Sequence, residues 1–198
     1  DNNAAHRAIV TGTVYGGGDA AAVTGNPVVT YNDNNANSYV GNLYGGGNAA
    51  GITGNTSVTL NSGKVTDGIY GGCNTSGTVT GNSTVTLLGG TVGSLVAHTA
   101  LVPASVTGRI FGGGYGASTN VDGQVHVIFG NSAGTATPTL IGDLYGGSAL
   151  GKVNTNSTHL GGTTVNGTDS VVVDILSGTI QGTVYGGGLG RKAAAAQG

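Results

Sequence analysis

The side chains best suited to acid–base chemistry in this sequence are its eight carboxylates, all of which are aspartates. Enzymes that cut polysaccharides place two carboxylates on either side of the bond they break, one of them as the acid. No pair of aspartates recurs at a repeat position, so we expect a protein that is not an enzyme. A polysaccharide-processing enzyme is the alternative. The acids considered are Asp19, Asp33 and Asp67 in the earlier part of the chain, and Asp122, Asp143, Asp169 and Asp174 in the later part.

Metal and nucleotide chemistry would need residues at fixed spacings that this chain does not repeat. The four histidines share no spacing, which is typical of loop or solvent-facing histidines rather than metal ligands. The segment Gly16-Gly17-Gly18-Asp19 resembles a calcium-binding repeat, but those repeats recur every nine residues with a fixed aspartate. No Lys-Ser/Thr pair follows a glycine triplet, as a phosphate loop requires. We therefore expect no metal and no cofactor. The histidines are His6, His98, His126 and His159.

Six aromatic residues, each followed by two glycines, are the candidate site, as a stripe for a ligand or for assembly. In Thr13-Val14-Tyr15 the valine continues an inward pattern, so the ring is expected to point outward. Aligned rings would suit sugar faces or a partner surface. Alternatively the rings lie over the glycine corner or pack inward as a core stack. The six residues are Tyr15, Tyr44, Tyr70, Phe111, Tyr145 and Tyr185.

Composition excludes several classes of partner. The net charge is −2, and the six basic residues are scattered along the chain. Nucleic-acid binding needs a basic stripe to neutralise phosphates, so we expect none. No stretch of 18 apolar residues occurs, so we expect no membrane insertion. The single cysteine, Cys73, replaces a repeat glycine and is expected to be a small buried or turn residue.

The elements that must position these residues are three short blocks repeated in a fixed order. The first is the aromatic block, as in Gly12–Gly18 and Gly41–Gly47. The second joins an aliphatic-Thr-Gly-Asn turn to an alternating run, as in Ile52–Leu60. The third, as in Ser62–Val65, leads into the next aromatic block. Successive aromatic residues are roughly 26 to 41 residues apart, within the range of solenoid repeats.

This pattern predicts an all-β fold, a parallel β-solenoid (β-helix) of about six to seven irregular coils. Runs this short bury an apolar face only when copies stack on one another. Alternation in Val58-Thr59-Leu60 sends valine and leucine to one side and threonine to the other. A β-sandwich, the structural rival, would need longer strands and hairpin turns. The seventh coil depends on Gly93-Ser94-Leu95-Val96, which resembles a degraded aromatic block.

Residues 1–198 are expected to form one repeat domain whose longer units carry inserted loops. Neither Asp1–Ala8 nor Arg191–Gly198 has the composition of a solenoid cap. We therefore expect a segment of a longer array, or a subunit whose ends meet neighbouring copies of itself. The predicted loops are Asn32–Ser38, Ala97–Ala104, Asn131–Pro138 and Asn154–Thr164.

Threonine at one repeat position raises the alternative of an ice-binding protein, which would need a flat, regular threonine array. Thr30, Thr59 and Thr86 are predicted to align. The next two equivalents are predicted to be His126 and Val172, which would interrupt the array.

The blocks aliphatic-Tyr-Gly-Gly-Gly and Val-Thr-Gly-Asn-x-x-Val-Thr-Leu resemble glycine-rich repeats of large surface-exposed and secreted bacterial proteins. They are similar in style to the β-helices of adhesins and autotransporters. The resemblance implies an extracellular or bacterial cell-surface location and a structural or adhesive role, as a filament subunit, stalk or adhesin segment. Its partners would be other copies of itself, end to end or laterally. A carbohydrate-binding module that holds surface glycans on the tyrosine ladder is the alternative.

Overall fold

A computed structural model describes residues 7–96, 105–155 and 170–190 of the chain. In these residues the fold is all-β, with no helix. No described helix is therefore long and apolar enough to cross a membrane. The strands are β1 Ile9–Tyr15, β2 Val23–Thr24, β3 Val28–Asn32, β4 Tyr39–Tyr44, β5 Ile52–Thr53, β6 Thr56–Ser62, β7 Lys64–Tyr70, β8 Ser76–Val79, β9 Ser83–Leu87, β10 Thr91–Val92, β11 Leu95–Val96, β12 Ser105–Val106, β13 Arg109–Phe111, β14 Ser118–Val121, β15 Val125–Phe129, β16 Thr139–Leu140, β17 Asp143–Tyr145, β18 Lys152–Val153, β19 Val171–Ile175, β20 Thr179–Ile180 and β21 Val184–Tyr185.

The strands form three parallel sheets and one small antiparallel hairpin. Sheet 1 contains β1, β4, β7, β10, β13, β16, β17, β20 and β21, and it carries the aromatic blocks. Sheet 2 contains β2, β5, β8, β14 and β18, and sheet 3 contains β3, β6, β9, β15 and β19. We call one passage of the chain through sheets 1, 2 and 3 a layer. Sheet 1 has six layers among the described residues, and sheets 2 and 3 have five.

Sheet 3 shows why these sequences form strands. Its layers pair in register, so that Val29, Val58, Val85, Val127 and Val173 lie in one line. The alternating run Thr56–Leu60 buries every second side chain, as period-two patterning requires. The three inner valines of the line are fully buried in the main core, which sheets 1 and 3 share.

The threonine prediction is right for three layers and wrong for the next two. Thr30, Thr59 and Thr86 align, but the next equivalents are Ile128 and Asp174. His126 and Val172 instead align with Thr84, two residues earlier. A shift of two residues keeps the same side chains facing inward, so the alternating pattern cannot distinguish the two registers.

The predicted seventh aromatic block is a hairpin inserted into sheet 1. Strand β7 is continuous, and its first half pairs with β10 while its second half pairs with β13. Strands β11 and β12, which follow β10 in sequence, lie outside sheet 1 and pair with each other in antiparallel fashion. The segment Gly93–Val96 therefore begins an insertion, and the aromatic residue of this layer is Phe111.

Polar side chains form the corners between sheets 2 and 3. The backbone N–H of Asn55 donates to the side-chain oxygen of Asn26 at 2.8 Å. Asn82 donates in the same way to Asn55 at 2.8 Å, and Gln124 donates to Asn82 at 2.9 Å. Each asparagine thus fixes the corner of the next layer, which explains the repeated Gly-Asn dipeptide.

Two of the predicted loops lie within the described residues. In Asn32–Ser38 the Asp33 carboxylate accepts the backbone N–H of Asn35 at 2.8 Å. In Asn131–Pro138 the side-chain oxygen of Asn131 accepts the backbone N–H groups of Thr135 and Ala136. Both loops are therefore closed by local side-chain hydrogen bonds. The loop Ala97–Ala104 and most of Asn154–Thr164 lie outside the described residues.

Candidate functional site

The six aromatic residues occupy one register position of sheet 1. Strand pairing places each ring beside its equivalent in the neighbouring layers. Neighbouring ring centroids are 4.3 to 5.3 Å apart, and all of the pairs are stacked. Interplanar angles are 6 to 9° except at the first pair, where the angle is 28°. From Tyr15 to Tyr185 the rings form a single column, which we call the aromatic stack.

The aromatic stack is a buried cluster separate from the main core. The preceding aliphatic residues, such as Leu43 and Ile69, belong to the main core. The rings of Tyr44, Tyr70, Phe111 and Tyr145 are 1 to 7% exposed and cluster with Ala149. Alternation along the strand turns the ring away from the aliphatic core, as expected, but neighbouring rings then cover both of its faces. The four inner rings therefore have no free face for a sugar.

The two end rings differ from the inner four. Tyr15 is half-buried, and Tyr185 is 45% exposed. Each of them stacks on a single ring among the described residues. The aromatic stack thus offers free ring faces at its two ends only.

Glycine after every ring but the last lets the layers approach closely enough to stack. A Cβ built on Gly45 would lie well inside 3.0 Å of the carbonyl oxygen of Gly71, in the next layer. The same clash arises between Gly71 and Gly112, and between Gly112 and Gly146. Any other residue at this position would push two layers apart.

A polar ladder follows the glycines on the same side of sheet 1. Asp19 and Asn48 each follow a glycine triplet, and the side-chain amide of Asn48 donates to Asp19 at 2.7 Å. The side-chain amide of Asn74 donates to Asn48 at 2.8 Å and to the hydroxyl of Tyr15 at 2.9 Å. This network fixes the first ring of the aromatic stack and gives its hydroxyl a partner.

Burial changes the acidity of the stacked tyrosines. Burial, and after it the nearby hydroxyl of Tyr115, together raise the pKa of Tyr70 to about 12. Burial also raises the pKa of Tyr44, with added contributions from the hydroxyls of Tyr70 and Tyr15. Both hydroxyls are therefore neutral over the physiological pH range.

A groove of about 480 Å³ runs beside the aromatic stack, next to the inserted hairpin. Asn42, Asp67 and Arg109 line it together with the edges of Tyr44 and Tyr70. Tyr115, which is 44% exposed, packs edge-on against Tyr70 with ring centroids 5.6 Å apart. Carboxylate, guanidinium, amide and phenol groups can together hydrogen-bond a polar ligand. Tyr115 was missed by the sequence reasoning because it follows the glycine triplet instead of preceding it.

The acids singled out above hold local structure where they are described. The Asp143 carboxylate accepts the backbone N–H of Thr183 at 2.8 Å and the hydroxyl of Tyr145 at 3.3 Å. Asp174 contacts His126 at 2.8 Å on the outer face of sheet 3. The Asp122 carboxylate accepts from the side-chain amide of Asn120 at 2.6 Å and from the hydroxyl of Thr155 at 2.8 Å.

Asp67 and Asp33 also take part in local hydrogen bonds. Asp67 accepts from the side chain of Asn42 at 3.4 Å. Hydrogen bonds from Asn35 and Ser38 hold the pKa of Asp33 below its usual range. Asp169, His6, His98 and His159 lie outside the described residues.

Cys73 and the metal-ligating side chain types are the last candidates of the sequence. Cys73 is fully buried, its thiol contacts the carbonyl oxygen of Ala50 at 3.2 Å, and burial raises its pKa. In residues 7–96, 105–155 and 170–190, no group of three or more His, Cys, Asp or Glu side chains could hold a metal ion.

No family model, no curated protein and no solved structure matches this chain.

Proposed function

We propose that the chain is a parallel β-solenoid that acts as a non-enzymatic structural or adhesive element, a filament subunit, stalk or adhesin segment. Its three sheets would wrap around the main core and a second apolar cluster that holds Ile52, Val79 and Val121 of sheet 2, with one layer as one coil. The proposed location is extracellular or on a bacterial cell surface, in line with the resemblance of its repeats.

The observation that carries the proposal is that each layer is a module held by the layers next to it. Strand contacts run between adjacent layers in all three sheets, and the same register positions face the core in each. A stack of this kind gains stiffness from continuous backbone hydrogen bonds and aligned side chains. Insertions such as the β11–β12 hairpin leave the register of the neighbouring layers unchanged.

A non-enzymatic role agrees with the partners of the acids. Asp143 and Asp122 accept hydrogen bonds from neighbouring layers or corners, and Asp174 lies against His126. These are contacts that hold layers together. The loops and the groove beside the aromatic stack supply the surfaces that differ from layer to layer.

Duplicating one layer tests the proposal. Residues 45–70 run from one aromatic block to the next and contain β5, β6 and β7. A second copy inserted after Tyr70 would stack as one more layer, so we expect a folded protein with undiminished stability. Circular dichroism and denaturant unfolding measure this, and an insertion of the same 26 residues in scrambled order is the control.

Two results would count against the proposal. A duplicated chain that unfolds as readily as the scrambled control would exclude the modular stack. Release of sugar ends from a polysaccharide by the native chain, lost in the Asp143→Asn or Asp174→Asn variant, would exclude the non-enzymatic role.

A further inference from the structure

The glycines after the last ring have no structural reason within the described residues. A Cβ on Gly16, Gly45, Gly71, Gly112 or Gly146 would collide with a carbonyl oxygen of the following layer. The equivalent residue of the last layer is Gly186, and no described atom lies within 4 Å of a Cβ built there. Its φ is not in the left-handed region that would demand glycine. Among the described residues, the backbone at Gly186 therefore leaves the room that a further layer would need.

The second glycine of each block repeats this observation. A Cβ on Gly72 or Gly147 would lie 2.8 Å from a backbone nitrogen of the next layer. A Cβ on Gly187, in the last layer, meets no described atom within 4 Å. Gly186 and Gly187 are thus both glycines where inner layers need glycine in order to stack.

The first layer also has a glycine with free space beside it, on its outer face. Three residues before the ring, a Cβ on Gly41, Gly142 or Gly182 would collide with a carbonyl oxygen of the preceding layer. The first-layer equivalent, Gly12, has no described atom within 4 Å of its Cβ position and no left-handed φ. Asp67 occupies this position in the third layer, beside a register shift. Gly12 therefore leaves space on the face that looks away from the second layer.

Sheet edges and apolar side chains at both ends are open in the described structure. Strands β1, β2 and β3 each pair on one side only, and so do β19, β20 and β21. Unpaired edges of parallel strands are templates for another strand. Apolar residues exposed on or beside these end strands are Ile9, Val10 and Val28 at one end, and Ile175, Leu176, Tyr185 and Leu189 at the other.

Within sheet 1 the two ends match each other. The heptapeptide Gly12–Gly18 is identical to Gly182–Gly188, so the first layer has the sequence that stacks on an aromatic block elsewhere in the chain. Tyr15 and Tyr185 each keep a ring face that no described ring covers. A first layer placed on a last layer would continue the aromatic stack with the spacing found inside it.

We propose that a second copy of this chain stacks head to tail, its first layer on the last layer of the preceding copy. Tyr15 of the second copy lies on Tyr185 of the first, and β1 extends sheet 1 beside β21 in parallel. This inference rests on the proposed structural role and adds the partner and the polarity. A contact between two different faces does not close on itself, so copies add into a filament.

Two alanine variants test the contact with little effect on the monomer, because each adds a Cβ to open space. The Cβ of Gly186→Ala would prevent another copy from stacking on the last layer, and that of Gly12→Ala would prevent stacking on the first. We expect the mass of the native chain to rise several-fold between micromolar and millimolar concentration, measured by light scattering and sedimentation. Each variant alone stays a monomer. A mixture of the two forms a one-to-one dimer and nothing larger, because only one pair of intact faces remains.

Matched controls separate assembly from folding. Gly146→Ala, the inner equivalent of Gly186→Ala, is expected to lower thermal stability, whereas Gly186→Ala and Gly12→Ala keep the native circular dichroism and Tm. Thr59→Ala, on an outward position of β6, should assemble like the native chain.

Three outcomes would overturn the proposal. A native chain that stays monomeric at millimolar concentration would show that the next layer is not a second copy, while the layer-duplication result would stand. Gly186→Ala and Gly12→Ala variants that both assemble like the native chain would exclude these faces. A dimer formed by either variant alone would replace the head-to-tail contact by a face-to-face one.

Discussion

Tyr44 and Tyr70 carry ionisable hydroxyls in the middle of the aromatic stack, where the next residue in the column, Phe111, has none. Stacked aromatic pairs add to the stability that their buried area provides. The phenylalanine shows that the column itself does not require a hydroxyl. Ionisation of the two tyrosines therefore acts on the stability of the stack without being needed to build it.

Alkaline pH is predicted to destabilise the protein through these two residues. An unfolded tyrosine ionises near pH 10, while burial raises the pKa of Tyr70 to about 12 and that of Tyr44 as well. Their contribution is complete below pH 10 and is lost as the pH rises toward 12, because the unfolded chain then ionises first. We expect each of the two tyrosines to contribute on the order of 2 kcal/mol to the loss at pH 11.5, at ~1.4 kcal/mol per pKa unit. Denaturant unfolding at pH 8 and pH 11.5 measures it.

The double variant Tyr44→Phe/Tyr70→Phe is the matched control, since Phe111 already occupies an equivalent place. It should lose less stability between the two pH values than the native chain. An equal loss in both proteins would show that the alkaline transition originates elsewhere.

The exposure of the rings could not be predicted from local sequence. Alternation after Leu43 correctly turns Tyr44 away from the main core. Whether a ring facing that way is exposed to solvent depends on its neighbours in other layers, which are tens of residues distant in sequence. The glycines were visible in the sequence, but the close approach that makes them necessary is a property of the stacked layers.

Among the elements, the prediction of an all-β fold is confirmed, and so is the parallel arrangement of its sheets. The three-block order was readable because each block keeps its place from layer to layer. The second block gives one strand of sheet 2 and one of sheet 3, and the third and aromatic blocks lie in sheet 1. The hairpin was not, because Leu95 and Val96 have the same aliphatic character as a sheet strand. The register of β15 was missed by two residues, since Val125, Val127 and Phe129 all face inward.

Excision of the hairpin is predicted to leave the fold intact. Two residues separate Val65 from Gly68 in β7, and the equivalent Val92 and Arg109 are separated by the inserted segment. A Cβ on Gly108 would lie well inside 3.0 Å of the Gly93 Cα, so the two glycines are already close enough to be joined. Deleting residues 94–107 would leave Gly93-Gly108 as a two-residue link of the native length.

We expect the shortened chain to keep its circular dichroism spectrum and to lose about 1 kcal/mol of unfolding free energy. The loss reflects the hydrogen bond from the Thr107 hydroxyl to the Thr66 carbonyl oxygen. Deleting 14 residues that include β9 serves as the disruptive control. A shortened chain that is unfolded would show that the hairpin supports sheet 1.

At the scale of the whole molecule, stability is distributed by position in the stack. An inner layer contacts two neighbours and an end layer contacts one among the described residues. The sheet 3 valines reflect this: Val58, Val85 and Val127 are fully buried, Val29 is 7% exposed, and Val173 is partly exposed. Arrays of this kind are governed by the stability of each repeat and its contacts with the next, so opening begins at the ends.

Amide hydrogen exchange is therefore predicted to be slowest in the middle of the stack. In dilute solution, where copies are separate, we expect β6 and β9 to exchange more slowly than β3 and β19, which occupy equivalent places in sheet 3. Sheet 1 should follow the same order, with β7 slower than β1 and β21. Mass spectrometry of peptic fragments measures each strand, and equal protection in all layers would mean that the array opens as one unit.

Amide hydrogen exchange measured at several protein concentrations also tests the stacking of copies, because a neighbouring copy would turn end layers into inner ones. Head-to-tail stacking predicts that protection of β1 and β21 rises with concentration while that of β7 stays unchanged. The Gly186→Ala variant is the control, since its last layer cannot be covered and its end strands should exchange at the dilute rate throughout. If end-strand exchange in the native chain did not depend on concentration, its ends would be free of copies and the stack would act as a single rod.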